Sequence, residues 1–117
     1  MTISTHVLDA SIGTPAAGVS VTLSRLAGSW LDVESGVTDA EGRHRFVADT
    51  PAGTYCLTFG NGAYFRARAV AAFYPEVAVT FTIAEPAEGT AGTAAGAGHF
   101  HVPLLLSPFA YSTYRGS

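Results

Sequence analysis

Residues 77–83 read VAVTFTI, with an apolar residue at every odd position and a small or polar residue between. A period of two is typical of a β-strand that buries one face, and β-branched and aromatic residues favour that conformation. Residues 19–24 and 54–59 alternate in the same way. The chain is therefore predicted to be all-β, a sandwich of about eight short strands.

Residues that favour turns separate the predicted strands at 13–15, 39–42, 51–53 and 60–62. One stretch breaks the period of two, because residues 64–73 are rich in alanine and arginine. These residues favour helix, and Pro75 would end it, so one short helix is expected. Residues 84–98 are rich in Ala, Gly and Thr and have no period, which predicts a flexible surface loop.

Length and composition indicate one domain that spans residues 1–117 and associates with copies of itself. Only 13% of the residues are charged and 48% are apolar, with a formal net charge of −3. The usual charged fraction of soluble proteins is roughly a quarter. A monomer with so few charges would expose much apolar surface, so the composition favours an oligomer.

Several classes of function are disfavoured by the composition. All 6 basic residues are arginines and they are scattered, so no nucleic-acid partner is expected. Cys56 is the only cysteine, which excludes an intramolecular disulfide and a cysteine-based zinc site. No apolar stretch approaches the ~20 residues that span a bilayer, and residues 1–10 lack the pattern of a secretory signal. We expect a cytoplasmic protein that does not contact a membrane.

Side-chain parity places one histidine of the first predicted strand on an outward face. His6 lies within residues 3–9 and shares its face with Ser4 and Leu8. The inward face of this strand is left to the residues between them.

A second histidine is placed outward by the apolar residues around it. In residues 100–107, one face is uniformly apolar (Val102, Leu104, Leu106) and should pack in the core. His101 therefore faces outward together with Pro103 and Leu105. A strand that is apolar on both faces suggests burial on both, here by another subunit.

The residues by themselves leave the function open. His101 could be an interface histidine without a chemical role, and Arg43 a solvated arginine after the turn at 39–42. His44 is most simply a surface residue. His99 and His101 alone are a weak zinc signal without a third ligand. No order of residues fits a Ser-His-Asp or Cys-His site, and no glycine-rich phosphate loop is present.

Three stretches resemble the transthyretin-like, or prealbumin-like, family. They are residues 4–9 (STHVLD), 38–43 (TDAEGR) and 99–107 (HFHVPLLLS), the last running into 111–117 (YSTYRGS). The resemblance covers nearly the whole chain apart from residues 84–98. The final Tyr-Arg-Gly-Ser is a specific mark of the hydrolase branch of this family.

The branch decides the expected function, because the fold is shared by an enzyme and a carrier. The hydrolase branch converts 5-hydroxyisourate to 2-oxo-4-hydroxy-4-carboxy-5-ureidoimidazoline in urate breakdown. The alternative is a transthyretin-type carrier of a small ligand, which lacks the counterparts of His6, Arg43 and His101. The resemblance also implies a homotetramer, a dimer of dimers with a cleft between them.

The resemblance implies that His6, Arg43 and His101 are catalytic. His101 would orient or deprotonate water with His6 as its partner, and the order of these two roles stays open. Arg43 is always charged and presents a planar fork of donors, which suits a ring with adjacent carbonyls and growing negative charge.

Five further residues are expected to bind substrate: Leu105, Ser112, Tyr114, Arg115 and Ser117. Tyr114 would form a wall of the cleft, Arg115 would anchor the tail, and Ser117 would bond the ring N–H groups of the substrate. No cofactor and no metal are expected, because hydrolytic ring opening transfers no electrons.

Overall fold

The stretches with a period of two form two packed sheets in the computed structural model, which describes residues 1–85 and 98–116. In chain order the elements are β1 (Thr2–Asp9), β2 (Thr14–Pro15), β3 (Ser20–Ala27), β4 (Ser29–Val37), β5 (Arg43–Arg45), β6 (Gly53–Phe59), α1 (Asn61–Ala67), β7 (Val77–Ile83), β8 (His99–Leu106) and β9 (Tyr111–Thr113). The all-β prediction with one short helix is confirmed, with nine described strands where about eight were expected; one of the nine, β2, has only two residues.

The first sheet has the order β2-β1-β8-β9, and β5 also pairs with β1. Strands β1 and β8 are parallel and neighbouring, whereas β5 is antiparallel to β1. The second sheet has the order β4-β3-β6-β7 and all of its pairs are antiparallel. This arrangement places β1 at the centre of the first sheet, between β5 on one side and β8 on the other.

The core lies between the two sheets and is formed by the inward residues of the predicted strands. Fully buried side chains include Ile3, Val7, Val21, Leu23, Leu57, Phe59, Leu104 and Leu106. Burial of one such side chain contributes about 1.5–3 kcal/mol. The inward parity predicted for residues 102, 104 and 106 is confirmed, so the opposite residues of β8 point away from the core.

The helix begins and ends earlier than predicted, at 61–67 and not 64–73. It ends in a Schellman motif, in which the N–H of Val70 bonds the carbonyl of Phe65 at 2.9 Å and Ala69 has a positive φ of 58°. Pro75 does not end the helix. Its carbonyl accepts a hydrogen bond from Gly62 N at 3.1 Å, so the proline segment packs against the first turn.

The helix is joined to the first sheet by one buried polar contact. Tyr64 donates its hydroxyl to Asp9 Oδ2 at 2.8 Å, and both residues are buried. No described helix is long and apolar enough to cross a membrane. Most of the loop predicted at 84–98 lies outside the described residues.

Candidate active site

One outward face of the first sheet carries most of the residues singled out from the sequence. In β1 the burial alternates strictly, so that Ile3, Thr5, Val7 and Asp9 are buried while the residues between them are partly exposed. Those outward residues of β1 include Ser4, His6 and Leu8. We call the corresponding outward surface of β5, β1 and β8 the outer face.

The three predicted catalytic residues meet on the outer face. His6 lies directly opposite Arg43 in the β1–β5 pair. His101 lies opposite Ser4 in the β1–β8 pair, one row away from His6. From ordinary strand geometry the Cα atoms of His6 and Arg43 are about 5 Å apart, and those of His6 and His101 about 8 Å. Two imidazoles and a guanidinium therefore surround one small region.

A tight turn before β5 places Arg43. The Asp39 carboxylate accepts hydrogen bonds from the backbone N–H of Glu41 at 2.9 Å and of Arg43 at 3.0 Å. The bond from Arg43 is the largest cause that lowers the pKa of Asp39. Gly42 has a φ of 77°, and a Cβ there would lie 2.3 Å from the Val7 carbonyl oxygen. Only glycine permits this close approach of the turn to β1.

The same turn determines where His6 carries its proton. Nε2 of His6 is 2.9 Å from the carbonyl oxygen of Glu41. A carbonyl only accepts hydrogen bonds, so Nε2 must be the protonated nitrogen. In the neutral ring, Nδ1 is therefore the nitrogen with a free lone pair.

His101 is held by a row of hydrogen bonds along the outer face. Ser4 Oγ is 2.8 Å from Nδ1 of His101 and 2.8 Å from Nε2 of His99. Thr2 Oγ1 is 2.8 Å from Nδ1 of His99. The ring of His101 is thus fixed at Nδ1 by a side-chain hydroxyl, whereas the ring of His6 is fixed by a backbone carbonyl.

The surroundings of His101 favour its neutral form. Burial lowers the pKa of His101, and repulsion from the protonated forms of His6 and His99 and from Arg43 lowers it further, while a hydrogen bond with the Ser4 backbone acts in the opposite direction. A histidine with a lowered pKa is uncharged near neutral pH and can accept a proton.

Arg43 and His101, but not His6, line a cleft of about 560 Å³ that is open to solvent. Its polar lining consists of Ser4, Thr5, Asp39, Arg43, His44, Arg45, His99 and His101. Cavities that bind small molecules usually have volumes of roughly 300–1,000 Å³. The cleft therefore has the size and the donors to hold a small, carbonyl-rich ring.

The C-terminal tail closes against His101. Gly116 N donates to the carbonyl of His101 at 2.8 Å, and the two residues form an isolated antiparallel bridge. A Cβ at Gly116 would lie 2.5 Å from Cδ2 of His101, so the tail touches the imidazole itself. The guanidinium of Arg115 stands 4.9 Å from the centroid of the Phe100 ring, which anchors the tail. Ser117 lies outside the described residues.

The structure does not bring the remaining predicted substrate residues into this cleft. Tyr114 and Arg115 line a second cleft of about 250 Å³ together with Val79 and Phe81. Leu105 of β8 and Ser112 of β9 lie opposite each other, and Leu105 is about 13 Å along the strand from His101. Their contacts with substrate stay predictions.

Seven of the nine residues that line the cleft were not predicted as site residues from the sequence. Three of these lie on the outer face. They are Ser4, Arg45 and His99. The strand alternation could have indicated all three, because each lies two positions from a predicted site residue and therefore on the same face of its strand. The predicted residues are His6 for Ser4, Arg43 for Arg45 and His101 for His99. The alternation identifies the face, but it does not identify which members of a face touch a ligand.

The interpretation of His44 as a surface residue holds only in part, because its side chain is 21% exposed at the wall of the cleft and otherwise packed against neighbours. His44 faces the interior between β4 and β5, because its neighbours in β5 both face outward. Its ring packs edge-on against Phe46 with centroids 4.6 Å apart, and Nε2 is 4.0 Å from a carboxylate oxygen of Glu34. A Cβ at Gly36 would come within 2.1 Å of the ring, so glycine is required above it. Within the part of the chain that the structure describes, no group of three potential metal ligands occurs.

This chain is similar to known proteins over nearly its whole length. The model of the HIUase/Transthyretin family matches residues 3–116. A mouse 5-hydroxyisourate hydrolase is 40% identical over 122 residues, which cover 98% of this chain and 94% of that protein. The structure of the Klebsiella pneumoniae 5-hydroxyisourate hydrolase is 43% identical, with a TM-score of 0.80 and full coverage of both chains. Sea bream transthyretin in complex with thyroxine is 32% identical with a TM-score of 0.81, covering 97% of this chain and 93% of that one.

Proposed function

Since this chain belongs to the HIUase/Transthyretin family, we propose that its hydrolysis of 5-hydroxyisourate takes place in the cleft lined by Arg43 and His101, beside which His6 lies opposite Arg43 in the sheet. The protein is a 5-hydroxyisourate hydrolase of urate breakdown. The observation that carries the proposed site is the convergence of two imidazoles and a guanidinium on one face, from strands far apart in the chain.

The reaction defines what the cleft must supply. The product carries a new carboxyl group and a ureido group, so water adds to a ring carbonyl and the adjoining C–N bond breaks. The incoming water must lose a proton, the carbonyl oxygen gains negative charge, and the leaving nitrogen must gain a proton. A general base, a cationic donor and a returning proton are therefore required.

His101 is assigned as the general base. Its pKa is lowered by burial, so the neutral imidazole is the dominant form near neutral pH. A positioned general base contributes about 10²–10⁴-fold to a rate. The proton that it takes from water is available for the leaving nitrogen when the ring opens.

His6 is assigned as the partner that holds the water. Its Nε2–H is engaged by the Glu41 carbonyl, so Nδ1 is the nitrogen that remains for a hydrogen bond from water. A water bound to His6 would lie beside His101 in the next row of the sheet. The neutral imidazoles of His6 and His101 can therefore each accept a hydrogen bond from a different hydrogen of one water.

Arg43 is assigned to the carbonyl oxygen of the substrate. Arg43 is an exposed residue of β5 and pairs directly with His6 in the sheet, so its guanidinium can reach a substrate held beside the two histidines. The planar fork can donate two parallel hydrogen bonds to adjacent carbonyls, and its charge stabilises the oxyanion that develops.

The transthyretin-type carrier is not supported as an alternative. The TM-scores of 0.80 and 0.81 to a hydrolase and to a transthyretin are nearly the same, so the fold does not separate the two functions. The cleft does separate them, because an apolar-ligand carrier has no use for two imidazoles beside a guanidinium.

We further propose a homotetramer, a dimer of dimers, as the working form. Leu8 and Leu105 lie opposite each other on the outer face, Pro103 lies between them and the histidines, and Leu8 and Leu105 stay partly exposed in one chain. Apolar side chains on an outward sheet face favour burial by a second sheet. A reducing compartment, the cytoplasm, is proposed because the single cysteine, Cys56, is free and buried.

The site is tested by following the loss of ultraviolet absorbance of 5-hydroxyisourate generated by urate oxidase. His101→Asn should lower kcat by about 10²–10⁴-fold while the oligomer, measured by light scattering after size exclusion, is unchanged. Ser35→Ala is the control, since it removes a side-chain hydrogen bond with Thr22 on the second sheet, away from the cleft, and should leave kcat unchanged. Near-normal turnover by His101→Asn would remove this residue from the chemistry.

A further inference from the structure

Four polar side chains on the outer face form a continuous chain of hydrogen bonds, which ends at His101, the assigned general base. Thr2, His99, Ser4 and His101 are joined by three contacts of 2.8 Å each. These residues come from the two parallel central strands, so their spacing is set by the register of the sheet and not by a mobile loop. None of the three members beyond His101 is assigned a role by the mechanism above.

The single proton of the Ser4 hydroxyl couples the two imidazoles. Ser4 contacts an imidazole nitrogen on either side, Nε2 of His99 and Nδ1 of His101. When Ser4 donates its proton to His99, it can only accept from His101. The neutral His101 ring then carries its proton on Nδ1, and Nε2 keeps a lone pair.

His99 decides in which direction Ser4 donates. Nδ1 of His99 is 2.8 Å from the Thr2 hydroxyl, and in the direction that we infer this hydroxyl accepts a hydrogen bond from Nδ1–H. With its proton on Nδ1, His99 offers the Nε2 lone pair to Ser4. The three hydrogen bonds are then donated in one direction, from His101 to Ser4, from Ser4 to His99 and from His99 to Thr2. The reverse direction would put the proton of His101 on Nε2 and leave it no lone pair with which to take a proton from water.

The two catalytic histidines differ in what holds their tautomer. The Glu41 carbonyl can only accept, so it fixes His6 without further help. A hydroxyl can donate or accept, so Ser4 alone does not fix His101 and a second group must choose the direction. His99 is the group that is placed to do so.

We propose that Ser4 and His99 are positioning residues, which hold neutral His101 as its Nδ1–H tautomer so that Nε2 is the nitrogen that takes the proton from water. This inference rests on the assignment of His101 as the general base. His101 makes its side-chain hydrogen bond with Ser4 through Nδ1. Among residues 1–85 and 98–116, no partner is found for Nε2 of His101. The lowered pKa of His101, caused first by burial, is consistent with a neutral ring for which the tautomer matters.

The first measurement is the tautomer itself, read from the imidazole ¹⁵N chemical shifts of His101 in the intact protein above pH 7. The unchanged protein should show the Nδ1–H form. Ser4→Ala removes the hydroxyl and should shift the ring to the Nε2–H form. His99→Phe removes the acceptor of the Ser4 proton and should produce the same shift, whereas Ser4→Thr keeps a hydroxyl and should preserve the tautomer.

The second measurement is the division of the effect between kcat and KM for 5-hydroxyisourate. Loss of the correct tautomer should lower kcat by about 10- to 100-fold, within the contribution of a general base, and leave KM within about threefold. Ser35→Ala is the matched control, because it removes a hydroxyl from a 3.1 Å contact with Thr22 on the other sheet. This control should leave both constants and the tautomer unchanged.

The outcomes separate this proposal from the site assignment. If Ser4→Ala keeps the Nδ1–H form, or loses activity without any change of tautomer, the positioning role is wrong. If the tautomer shifts but His101→Asn remains fully active, the assignment of the general base is wrong. A shift of tautomer with a fall in kcat in both Ser4→Ala and His99→Phe supports the proposal.

Discussion

Gly116→Ala should inactivate the enzyme while leaving its fold nearly intact. A Cβ at this position would lie 2.5 Å from Cδ2, 3.1 Å from Cγ and 3.2 Å from Cβ of His101. Non-bonded carbon atoms are normally about 3.5–4.0 Å apart, so the ring or the tail must move by about 1 Å. The tail cannot move alone, because Gly116 N is bonded to the carbonyl of His101 at 2.8 Å.

The two consequences of that displacement differ in size. A misplacement of about 1 Å at a catalytic group can lower a rate by about 10²-fold, so kcat should fall by that amount. Loss of the single backbone hydrogen bond costs only about 0.5–1.5 kcal/mol of the free energy of unfolding. The core residues are far from the tail, so no larger loss of stability is expected.

Initial rates with freshly generated 5-hydroxyisourate and urea unfolding together measure both effects. Gly98→Ala is the matched control, since a Cβ there meets nothing within 4 Å although the residue directly precedes β8. A Gly116→Ala variant with kcat within about twofold of the parent would refute the argument that the tail positions the imidazole. A loss of unfolding free energy well above the hydrogen-bond cost would refute the claim that the effect is local.

Three further predictions concern the pH dependence, the guanidinium and the glycine above the inward histidine. The acid limb of kcat/KM should lie below pH ~6.5, because burial lowers the pKa of His101. The free energy of unfolding should also fall as the pH drops below that value, because His101 binds a proton more tightly in the unfolded chain than in the folded one. An acid limb above pH 7 would contradict this. Arg43→Lys keeps the charge but not the planar fork and should lower kcat/KM by about 10²-fold, whereas Arg25→Lys on the other sheet should not change the rates. Gly36→Ala should lower the free energy of unfolding in urea by about 1–3 kcal/mol, because its Cβ would meet the His44 ring at 2.1 Å. Adding His44→Ala removes the ring and should recover part of that loss. If the effects of the two substitutions are purely additive, the clash is not the cause.

The outward faces of the two catalytic strands could be predicted from the sequence. The run Val102, Leu104 and Leu106 is uniformly apolar, so only one orientation of β8 buries it, and His101 is then outward. In β1 the same reasoning holds less directly, because the buried set includes Thr5 and Asp9 as well as apolar residues. Asp9 is accepted in the interior because the Tyr64 hydroxyl bonds its carboxylate.

The helix end and the direction of His44 could not be predicted, for different reasons. Alanine and arginine continue to favour helix after Ala67, but the backbone turns into the left-handed region at Ala69, where no glycine marks the end. His44 occupies a strand of three residues, which is too short for a period to show. Its inward side is open only because Gly36, on a strand of the other sheet, has no side chain.

The sequence by itself determined the inward faces of the strands with a clear apolar alternation, and the resemblance of its motifs suggested which outward residues are candidates for the chemistry. This was possible because successive side chains of a strand point to opposite sides, so that composition alone assigns each face. The tertiary structure decided which outward residues touch, such as Ser4 with His101, which are 97 positions apart. That contact depends on the parallel register of β1 with β8, which is set by packing along the whole sheet and leaves no local mark on either strand.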